Sequence, residues 1–511
     1  MSVLGARRWW AVGALVIAVL AVGFDVTILS LALPALATGL HASTSELQWF
    51  VAAYTLVFAA AMIPAGMLGD RFGRKKTLSV ALVIFGVSSL AAAYAPSAGA
   101  FIVARAVLGL GGAAILPMVL GIVPTLFSPD ERRRAIAVVM AAAMLGYPAG
   151  PIIGGWLLGH FWWGAVFLIN VPVVVLALAA VIAWLPESRS TRKRRLDAPG
   201  VLTSSLGLAA LTYGVIQAGQ YGWGDVTAVG PLIGGAVLIG VFVIREQGAA
   251  EPLVDLTLFR EAGFTVGTLL STTVSFVMFG VLFAVPQYFQ TILGTDAMGG
   301  GVRLLPLIGG MLAGAVVADR FATRVGARIA VGLGFVLLAA GLLAGATTAA
   351  SSGYGLAAAW TIVAGLGLGF VMPVAMDAAI GTLREDAAGV GSALIQAVRM
   401  VGSSFGASIL GSALNSGYRG HLHPEGLPPA AAHAVREGVY GGLDVARRTG
   451  SAALAANVRD AFVHGMDVLL AMSAGLAVLG ALLALLLPRR SAAGVGTGPS
   501  ERPESEHEAA V

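Results

Sequence analysis

One acidic residue interrupts a long uncharged stretch near the start of the chain. Residues 9–22 and 26–40 carry no charged side chain, and Asp25 lies between them. An acid in such a stretch must bind a proton, pair with a cation or contact water, because an isolated charge in an apolar environment is costly. Burial favours the neutral carboxyl, whereas a nearby arginine favours the carboxylate. Asp25 is therefore a candidate for reversible proton binding.

Arg105 is the candidate partner of this acid. It lies inside the apolar segment 100–124, and a charged side chain inside a membrane generally faces a partner or water. If Arg105 pairs with Asp25, loss and return of a proton on Asp25 would change which conformation is favoured. Two alternatives remain open: a static structural ion pair, and an arginine that snorkels to the nearby membrane surface.

The composition indicates that these residues lie in a membrane protein. The 511-residue chain is 58% hydrophobic and 11% charged, with a mean hydropathy of +0.88, whereas soluble domains carry about a quarter charged residues. Apolar segments recur along the chain, each long enough to cross the hydrocarbon core as a helix. The sequence predicts an all-α polytopic fold with fourteen spans at about 10–34, 48–69, 77–95, 100–124, 134–158, 163–185, 198–219, 228–245, 263–289, 300–318, 328–348, 354–380, 388–414 and 464–487.

The arginine and lysine residues predict the orientation of these spans. An even number of spans places both termini on one side, and most of the 31 basic residues fall in loops on that side, such as "DRFGRKK", "PDERRR" and "ESRSTRKRR". Loops rich in lysine and arginine stay on the cytoplasmic side, so both termini are predicted to be cytoplasmic. Scarce lysine with abundant alanine, glycine, valine and arginine indicates a bacterial genome, and hence the bacterial cytoplasmic membrane.

The same loops suggest how the chain divides. We predict an N-terminal six-helix bundle over 1–186, then a basic loop with two inserted spans over 187–262. A C-terminal six-helix bundle follows over 263–488, and it includes an outer loop at 417–462. The polar tail 489–511 is predicted to be disordered and cytoplasmic.

The outer loop contains two further patterns. Its stretch "ALAANVRDAFVHGM" predicts a short amphipathic helix on the outer surface. His421 and His423 form an H-x-H pair, which without further ligands is not a zinc site.

The stretch "GMLGDRFGRKKTL", residues 66–78, combines glycines with an acid and several bases. Gly66 and Gly73 permit close packing and a tight turn. Asp70 is predicted to pair with a nearby arginine, Arg71 or Arg74, or to face the positive end of a neighbouring helix. Such a contact would act as a conformational gate that holds the cytoplasmic side shut; the alternative is an ordinary basic loop.

A second, degenerate copy of this pattern occurs later as "GAVVADRFATRVGAR", in which Asp319 corresponds to Asp70 and Gly326 to Gly73. Internal repeats of this kind are typical of secondary transporters, whose halves move about a central site.

The stretch "GYPAGPIIGG", residues 146–155, repeats small residues every fourth position. This spacing places them on one helix face and allows close helix–helix approach, while proline bends a helix. The alternative is a purely structural helix crossing. The residues concerned are Gly146, Pro148, Gly150, Pro151, Gly154 and Gly155.

Together these motifs resemble the major facilitator superfamily, in its fourteen-span drug:proton antiporter family. "GMLGDRFGRKKTL" resembles the loop signature between spans two and three, and "FIVARAVLGLGGA" resembles the span-four motif, with Leu108 at a usually polar position. "GYPAGPIIGG" resembles the antiporter motif of span five, and "FDVTILSLALP" the span-one motif, with Ser30 in place of asparagine. The resemblance covers residues 10–488.

The resemblance implies two six-helix bundles about a central cavity, with two extra spans between them. It implies alternating-access export of hydrophobic drugs or antibiotics across the membrane, driven by inward proton flow through Asp25 and Arg105. The alternatives are a dedicated exporter of one natural product made by the host, and a membrane enzyme or sensor on a transporter scaffold. The second would need a catalytic constellation or a soluble domain, and the sequence shows neither.

Several polar side chains are candidates for the substrate cavity: Tyr54, Tyr147, Gln287, Gln290, Asp377, Gln396 and Arg399. Asp377 is either a second titrating site or a hydrated residue near the cytoplasmic mouth. Trp49, Gln217 and Tyr288 are further candidates. For all of these residues the alternative is a role as an interface anchor or a helix contact.

The expected partners follow from this interpretation. They are a small hydrophobic substrate, protons and the lipid bilayer, with no nucleic acid, and a monomer is expected. The sequence shows no phosphate-binding loop or dinucleotide fingerprint, so the proton gradient is the predicted energy source and no cofactor is expected.

Overall fold

The structure, a computed structural model, describes residues 3–127, 129–189, 197–249, 252, 254, 256–383, 388–423 and 427–488. Within these ranges the secondary structure is helical, as the composition predicts. The predicted tail 489–511, most of the basic loop 187–197 and Arg384 lie outside the described residues.

The first part of the chain forms seven helices: α1 (Val3–Gly39), α2 (Thr44–Phe72), α3 (Arg74–Ala93), α4 (Ala98–Leu126), α5 (Pro129–His160), α6 (Ala165–Leu168) and α7 (Asn170–Trp184). Two helices and a short 3₁₀ turn follow: α8 (Ala198–Tyr221), α9 (Val226–Gly248) and Leu256–Arg260. The remaining helices are α10 (Ala262–Thr291), α11 (Ala297–Arg303), α12 (Leu305–Val325), α13 (Ala327–Gly345), α14 (Tyr354–Ile380), α15 (Ala388–Gly420), α16 (Pro429–Glu437), α17 (Val439–Thr449) and α18 (Ala452–Ala484).

Most of the predicted spans are confirmed. Among the described residues, 13 helical segments are long and apolar enough to cross a membrane. The predicted span 134–158 coincides with α5, which is 32 residues long but is not among those segments, so the predicted count of fourteen is not confirmed. The predicted sixth and tenth spans each consist of a short helix followed by a longer one, α6 with α7 and α11 with α12.

The predicted surface helix at "ALAANVRDAFVHGM" is wrong. This stretch is the first half of α18, which begins well before the predicted span 464–487. Leu454, Val458 and Phe462 are buried at helical spacing, and a Cβ atom added to Gly442 of α17 would contact Val458. The apolar face that predicted an interfacial helix therefore packs inside the protein, and the amphipathic loop helices are α16 and α17.

The helices form two bundles that contact each other. In the first, α1 packs against α5 and α7, α4 packs against α2 and α3, and α3 also contacts α7. In the second, α14 packs against α12 and α13, while α10, α15 and α18 contact one another. The bundles meet where α2 contacts α15, α1 contacts α10 and α5 contacts α11.

The inserted helices pack beside this junction. Helix α8 contacts α9, α15 and α2. Ser412 Oγ on α15 donates to the Val215 carbonyl at 3.1 Å, and Asn415 Nδ2 donates to the Gly219 carbonyl at 3.3 Å. Asp197 and Arg245 join the start of α8 to the end of α9 through an ion pair of 2.7 Å.

The two ends of the bundles differ. We call the end at which α1 finishes and α16 and α17 lie the cap end, and the opposite end, where α2 finishes, the basic end. At the basic end Gly73 turns the chain from α2 into α3 with φ = 113°, and Gly326 turns it from α12 into α13 with φ = 89°. Positive φ favours glycine, so the corresponding glycines make the corresponding turn in the two copies of the repeat.

Candidate functional site

The structure brings Asp25 and Arg105 together. Arg105 Nη1 lies 2.6 Å from Asp25 Oδ2, and the exposed fractions of the two side chains are 0% for Asp25 and 1% for Arg105. Helix α1 supplies the acid and α4 the base. Because Arg105 is buried against this partner, it does not snorkel to the membrane surface, and that alternative is wrong.

Two groups on α2 also contact the guanidinium of Arg105. Its Nε donates to the Phe50 carbonyl of α2 at 3.1 Å, and it lies over the ring of Tyr54, 4.5 Å from the ring centre. A cation above an aromatic face is stabilised by the ring quadrupole. Arg105 is therefore oriented by α2 as well as by Asp25.

Asn170 is a further residue of this site that the sequence analysis missed. Its Nδ2 donates to Asp25 Oδ1 at 3.4 Å and to Ser89 Oγ at 3.0 Å. Ser89 in turn donates to the Phe167 carbonyl at 2.8 Å. The available signal was an amide within the apolar stretch "AVFLINVPVVV", because buried amides need partners.

A small cavity adjoins the ion pair at the junction of the bundles. Its volume is about 20 Å³, which is room for about one water molecule. Helices of the first bundle contribute polar groups to its wall and α10 contributes an apolar surface. The lining residues are Leu29, Ser30, Val51, Tyr54, Thr55, Arg105, Phe279, Leu282 and Phe283.

The glycines of α5 pack directly on the segment of α1 that carries Asp25. A Cβ atom added to Gly146 would lie 3.1 Å from Gly23, one on Gly150 would lie 2.0 Å from Thr27 Oγ1, and one on Gly154 would lie 2.6 Å from Ile28. Small residues are therefore required on both sides of Asp25, as the four-residue spacing predicts.

Gly155 faces the second bundle instead. A Cβ atom there would lie 3.0 Å from the Met298 backbone of α11. Helix α5 runs unbroken through this region, so it connects the surroundings of Asp25 to the second bundle. The side chains of Tyr147, Pro148 and Pro151 lie outside the described residues.

The gate motif has a different packing residue from the one predicted. A Cβ atom on Gly66 would have only an ordinary 3.9 Å contact with Pro117, whereas one on Gly69 would lie 2.1 Å from Met118 Sδ. The close approach of α2 and α4 therefore occurs at Gly69, about one helical turn further along the same face of α2 than the predicted position. Gly73 makes the predicted turn.

The charged residues of this motif join α2 and α3 to α4. Arg74 Nη2 lies 2.8 Å from Asp70 Oδ1, and Arg74 Nη1 donates to the Gly121 carbonyl of α4 at 2.6 Å. The guanidinium of Arg71 lies over the Phe72 ring at 5.3 Å. These contacts all belong to the first bundle.

Glu187 completes the turn, and the sequence analysis did not identify it. Its carboxylate accepts from the backbone N–H groups of Lys75 and Lys76 at 3.1 and 3.3 Å. An anion at a helix N-terminus satisfies amides that have no partner within the helix. The start of α3 is thus tied to the chain that follows α7.

Among the described side chains of the predicted cavity residues, only Tyr54 lines the small cavity beside the ion pair. Gln287 Nε2 donates to the Phe283 carbonyl of its own helix at 2.6 Å, and Gln290 Nε2 donates across the bundles to the Leu31 carbonyl at 3.1 Å. Arg399 is buried and donates to Gln396 Oε1 at 2.8 Å and to Ser275 Oγ at 3.1 Å. Asp377 is exposed on α14.

These features define a class of protein before any comparison is made. Two bundles of membrane-spanning helices, a buried carboxylate–guanidinium pair at their junction and closely packed small residues are typical of a secondary transporter. Among the described residues, no cluster of three or more side chains could hold a metal ion.

Comparison with known proteins identifies the family. Residues 15–407 match the model of the Major Facilitator Superfamily. The chain is 34% identical over 499 residues to a tetracenomycin C resistance and export protein of Streptomyces glaucescens, covering 95% of this chain and 92% of that protein. It is 32% identical over 451 residues to the multidrug efflux pump LfrA of Mycolicibacterium smegmatis, covering 86% and 88%.

A solved structure confirms the fold. A bacterial homologue of the human lysosomal transporter Spinster, in an inward-facing and unoccupied conformation, superimposes with a TM-score of 0.66 at 16% identity, covering 95% of this chain and 99% of that one. The chain belongs to the major facilitator superfamily, in its drug and antibiotic efflux branch. It is a multi-pass membrane transporter and not an enzyme.

We expect Gly150→Ala to destabilise the protein. The added methyl group would displace Thr27 and separate α5 from α1, and overpacking of this kind costs about 1–3 kcal/mol. The thermal midpoint of the purified protein in detergent measures the effect. Gly159→Ala is the matched control on the same helix, because a Cβ atom there meets nothing within 4 Å; equal midpoints for the two variants would contradict the packing described.

We expect strong energetic coupling between Asp25 and Arg105. Arg105→Leu leaves a buried carboxylate without its cation, and breaking such a pair costs about 3–5 kcal/mol. The double variant with Asp25→Asn should lose less stability than the two single variants combined. Unfolding in a denaturing detergent measures each step of the cycle, with exposed Arg71→Leu as the control. Additive losses would show that the pair does not act as a unit.

Proposed function

We propose that this transporter exports hydrophobic drugs or antibiotics in exchange for protons, with Asp25 as the proton carrier. The observation that carries the proposal is the fully buried pair of Asp25 and Arg105. An ionisable pair inside a membrane protein is costly and commonly marks a proton or ion pathway. The drug-resistance and export names of the relatives support the same class of substrate.

The position of the pair links its charge to the contacts between bundles. Asp25 lies on α1 between the residues that pack on Gly146, Gly150 and Gly154 of α5. Nearer the cap end, α1 accepts the hydrogen bond from Gln290, and α5 meets α11 at Gly155. A change in the position of α1 relative to α4 would therefore alter the contacts at the cap end, through α1 itself and through α5.

In the described conformation the Asp25–Arg105 ion pair is formed, and the two bundles contact each other at the cap end. Thr44 Oγ1 donates to the Glu437 carbonyl at 2.7 Å, which adds a further link at this end. A proton on Asp25 would remove its charge and weaken its hold on Arg105, because the charged pair is favoured only while both ions are present. Protonation would thus release α1 from α4 and permit reorientation.

A transport cycle follows from these steps. Asp25 takes a proton from the outside, and the neutral form reorients. Release of the proton to the inside restores the ion pair and permits loading of the substrate, whose export resets the cycle. The proton gradient supplies the energy and no cofactor takes part; the substrate, protons and lipid are the partners of a monomer. The basic loops support cytoplasmic termini in a bacterial cytoplasmic membrane.

A second candidate is a dedicated exporter of one natural product. The observation that favours it is the 34% identity across 95% of this chain with a protein named for resistance to and export of a single compound, tetracenomycin C. The same ion pair and glycine face serve either function. A single active compound in a broad panel would support this candidate.

Inverted membrane vesicles provide the test. They are energised to acidify their interior, which a pH-sensitive dye reports, and then receive cationic, neutral and anionic hydrophobic drugs one at a time. We expect substrates to cause proton release, Asp25→Asn to abolish it and exposed Asp460→Asn to leave it unchanged.

Full drug-dependent proton release by folded Asp25→Asn would refute the role of Asp25. Absence of release with every compound, despite folded wild-type protein, would refute broad drug export.

A further inference from the structure

A second acid lies inside a membrane-spanning helix, in the bundle opposite to Asp25. Asp467 is on α18, and its Oδ1 atom is buried without a hydrogen-bond partner. Asp467 also has no ion pair with any described residue. Asp467 was not among the predicted site residues, although it lies within the predicted span 464–487.

A second polar group without a partner lies near this acid. Tyr288 of α10 is fully buried, and its hydroxyl makes no hydrogen bond with the described residues. Tyr288 lies on α10, which packs against α18. A carboxylate can only accept hydrogen bonds, whereas a protonated carboxyl group can also donate one, and a phenol oxygen can accept it.

The other charged groups near α18 do not pair with Asp467. Helix α18 packs against α10, α13, α15 and α17. The titratable or charged residues on these helices and on α18 itself are Tyr288, Arg328, Arg399, Tyr418, Arg419, Tyr440, Asp444, Arg447, Arg448, Arg459, Asp460 and His464.

Several of these groups have partners of their own. Tyr418 donates to the Val435 carbonyl at 2.7 Å, and Arg419 donates to the carbonyls of Gln220 and Arg436. Asp444 pairs with two arginines of α17, and Arg399 donates to Gln396 and Ser275. Among the described residues, no cation on the helices packed around Asp467 forms an ion pair with it.

Two histidines lie between Asp467 and the surface of the cap end. His464 precedes Asp467 by three positions on α18, which places both on one helix face. The ring of His421 stacks on that of His464, with 3.7 Å between ring centres, and His421 is exposed. Histidine exchanges protons near neutral pH, so this pair extends from the surface towards the acid.

We propose that Asp467 is a second proton-binding site, reached from the cap end past His421 and His464 and stabilised in its protonated form by Tyr288. A charged carboxylate without a cation is costly within a membrane. A bound proton neutralises the carboxylate and so removes this cost, and it requires no larger cavity. The site lies in the second bundle and is independent of Asp25. The inference therefore goes beyond the proposed function and does not rely on it.

Infrared difference spectroscopy of the purified full-length protein in lipid films tests the proposal. Spectra recorded at acidic and alkaline pH isolate the carbonyl stretch of carboxyl groups that gain a proton. We expect Asp467→Asn to remove one such band and Asp460→Asn, an exposed acid on the same helix, to retain it. Tyr288→Phe should keep this band but move it to higher frequency, because the hydrogen bond to the carboxyl group is lost.

The measurement needs neither substrate nor gradient, so its outcome is separate from that of the transport assay. Identical difference spectra for wild type and Asp467→Asn would overturn the proposal, whether or not Asp25→Asn removes a band. If size-exclusion chromatography shows that Asp467→Asn does not fold, Asp467→Glu and Tyr288→Phe decide. Both must shift the band, and an unshifted band in either would overturn the proposal.

Discussion

The structure depends on one buried ion pair, between Asp25 and Arg105. Removing two charges from water costs several kcal/mol for each ion, so the helices around the pair must supply compensating contacts. Helix α2 supplies the Phe50 carbonyl and the Tyr54 ring to Arg105, and α7 supplies Asn170 to Asp25. The pair therefore draws four helices of the first bundle together.

In the proposed cycle, the glycine face of α5 would transmit a change at Asp25 to distant contacts. Close packing at Gly146, Gly150 and Gly154 leaves α1 little room to move without α5, and tightly packed interfaces transmit displacement rather than absorb it. Gly155 then places the same helix against α11. By contrast, the contacts of Asp70 and Arg74 stay within the first bundle, so in the described conformation this motif organises the α2–α3 turn rather than bridging the bundles.

The sequence predicted the helices well because hydrophobic length is a strong local signal, and it predicted the Asp25–Arg105 pair because isolated charges in apolar segments have few possible partners. It did not predict Asn170, Glu187 or the close approach at Gly69, since each depends on which residue of another helix lies opposite. The start of α18 was placed too late because its first turns mix polar and apolar residues, and only their packing against α17 shows that they continue the helix.

The most direct test of the account measures whether protonation of Asp25 changes the arrangement of the bundles. The chain has no cysteine, so spin labels can be attached to introduced cysteines at exposed positions, Lys76 with Arg324 at the basic end and His160 with Ser351 at the cap end. Pulsed electron paramagnetic resonance then gives both distances as the pH is varied. The account predicts that acidification shifts the two distance distributions in opposite senses, and that Asp25→Asn abolishes this response. A pH response in Asp25→Asn equal to that of the parent would contradict it.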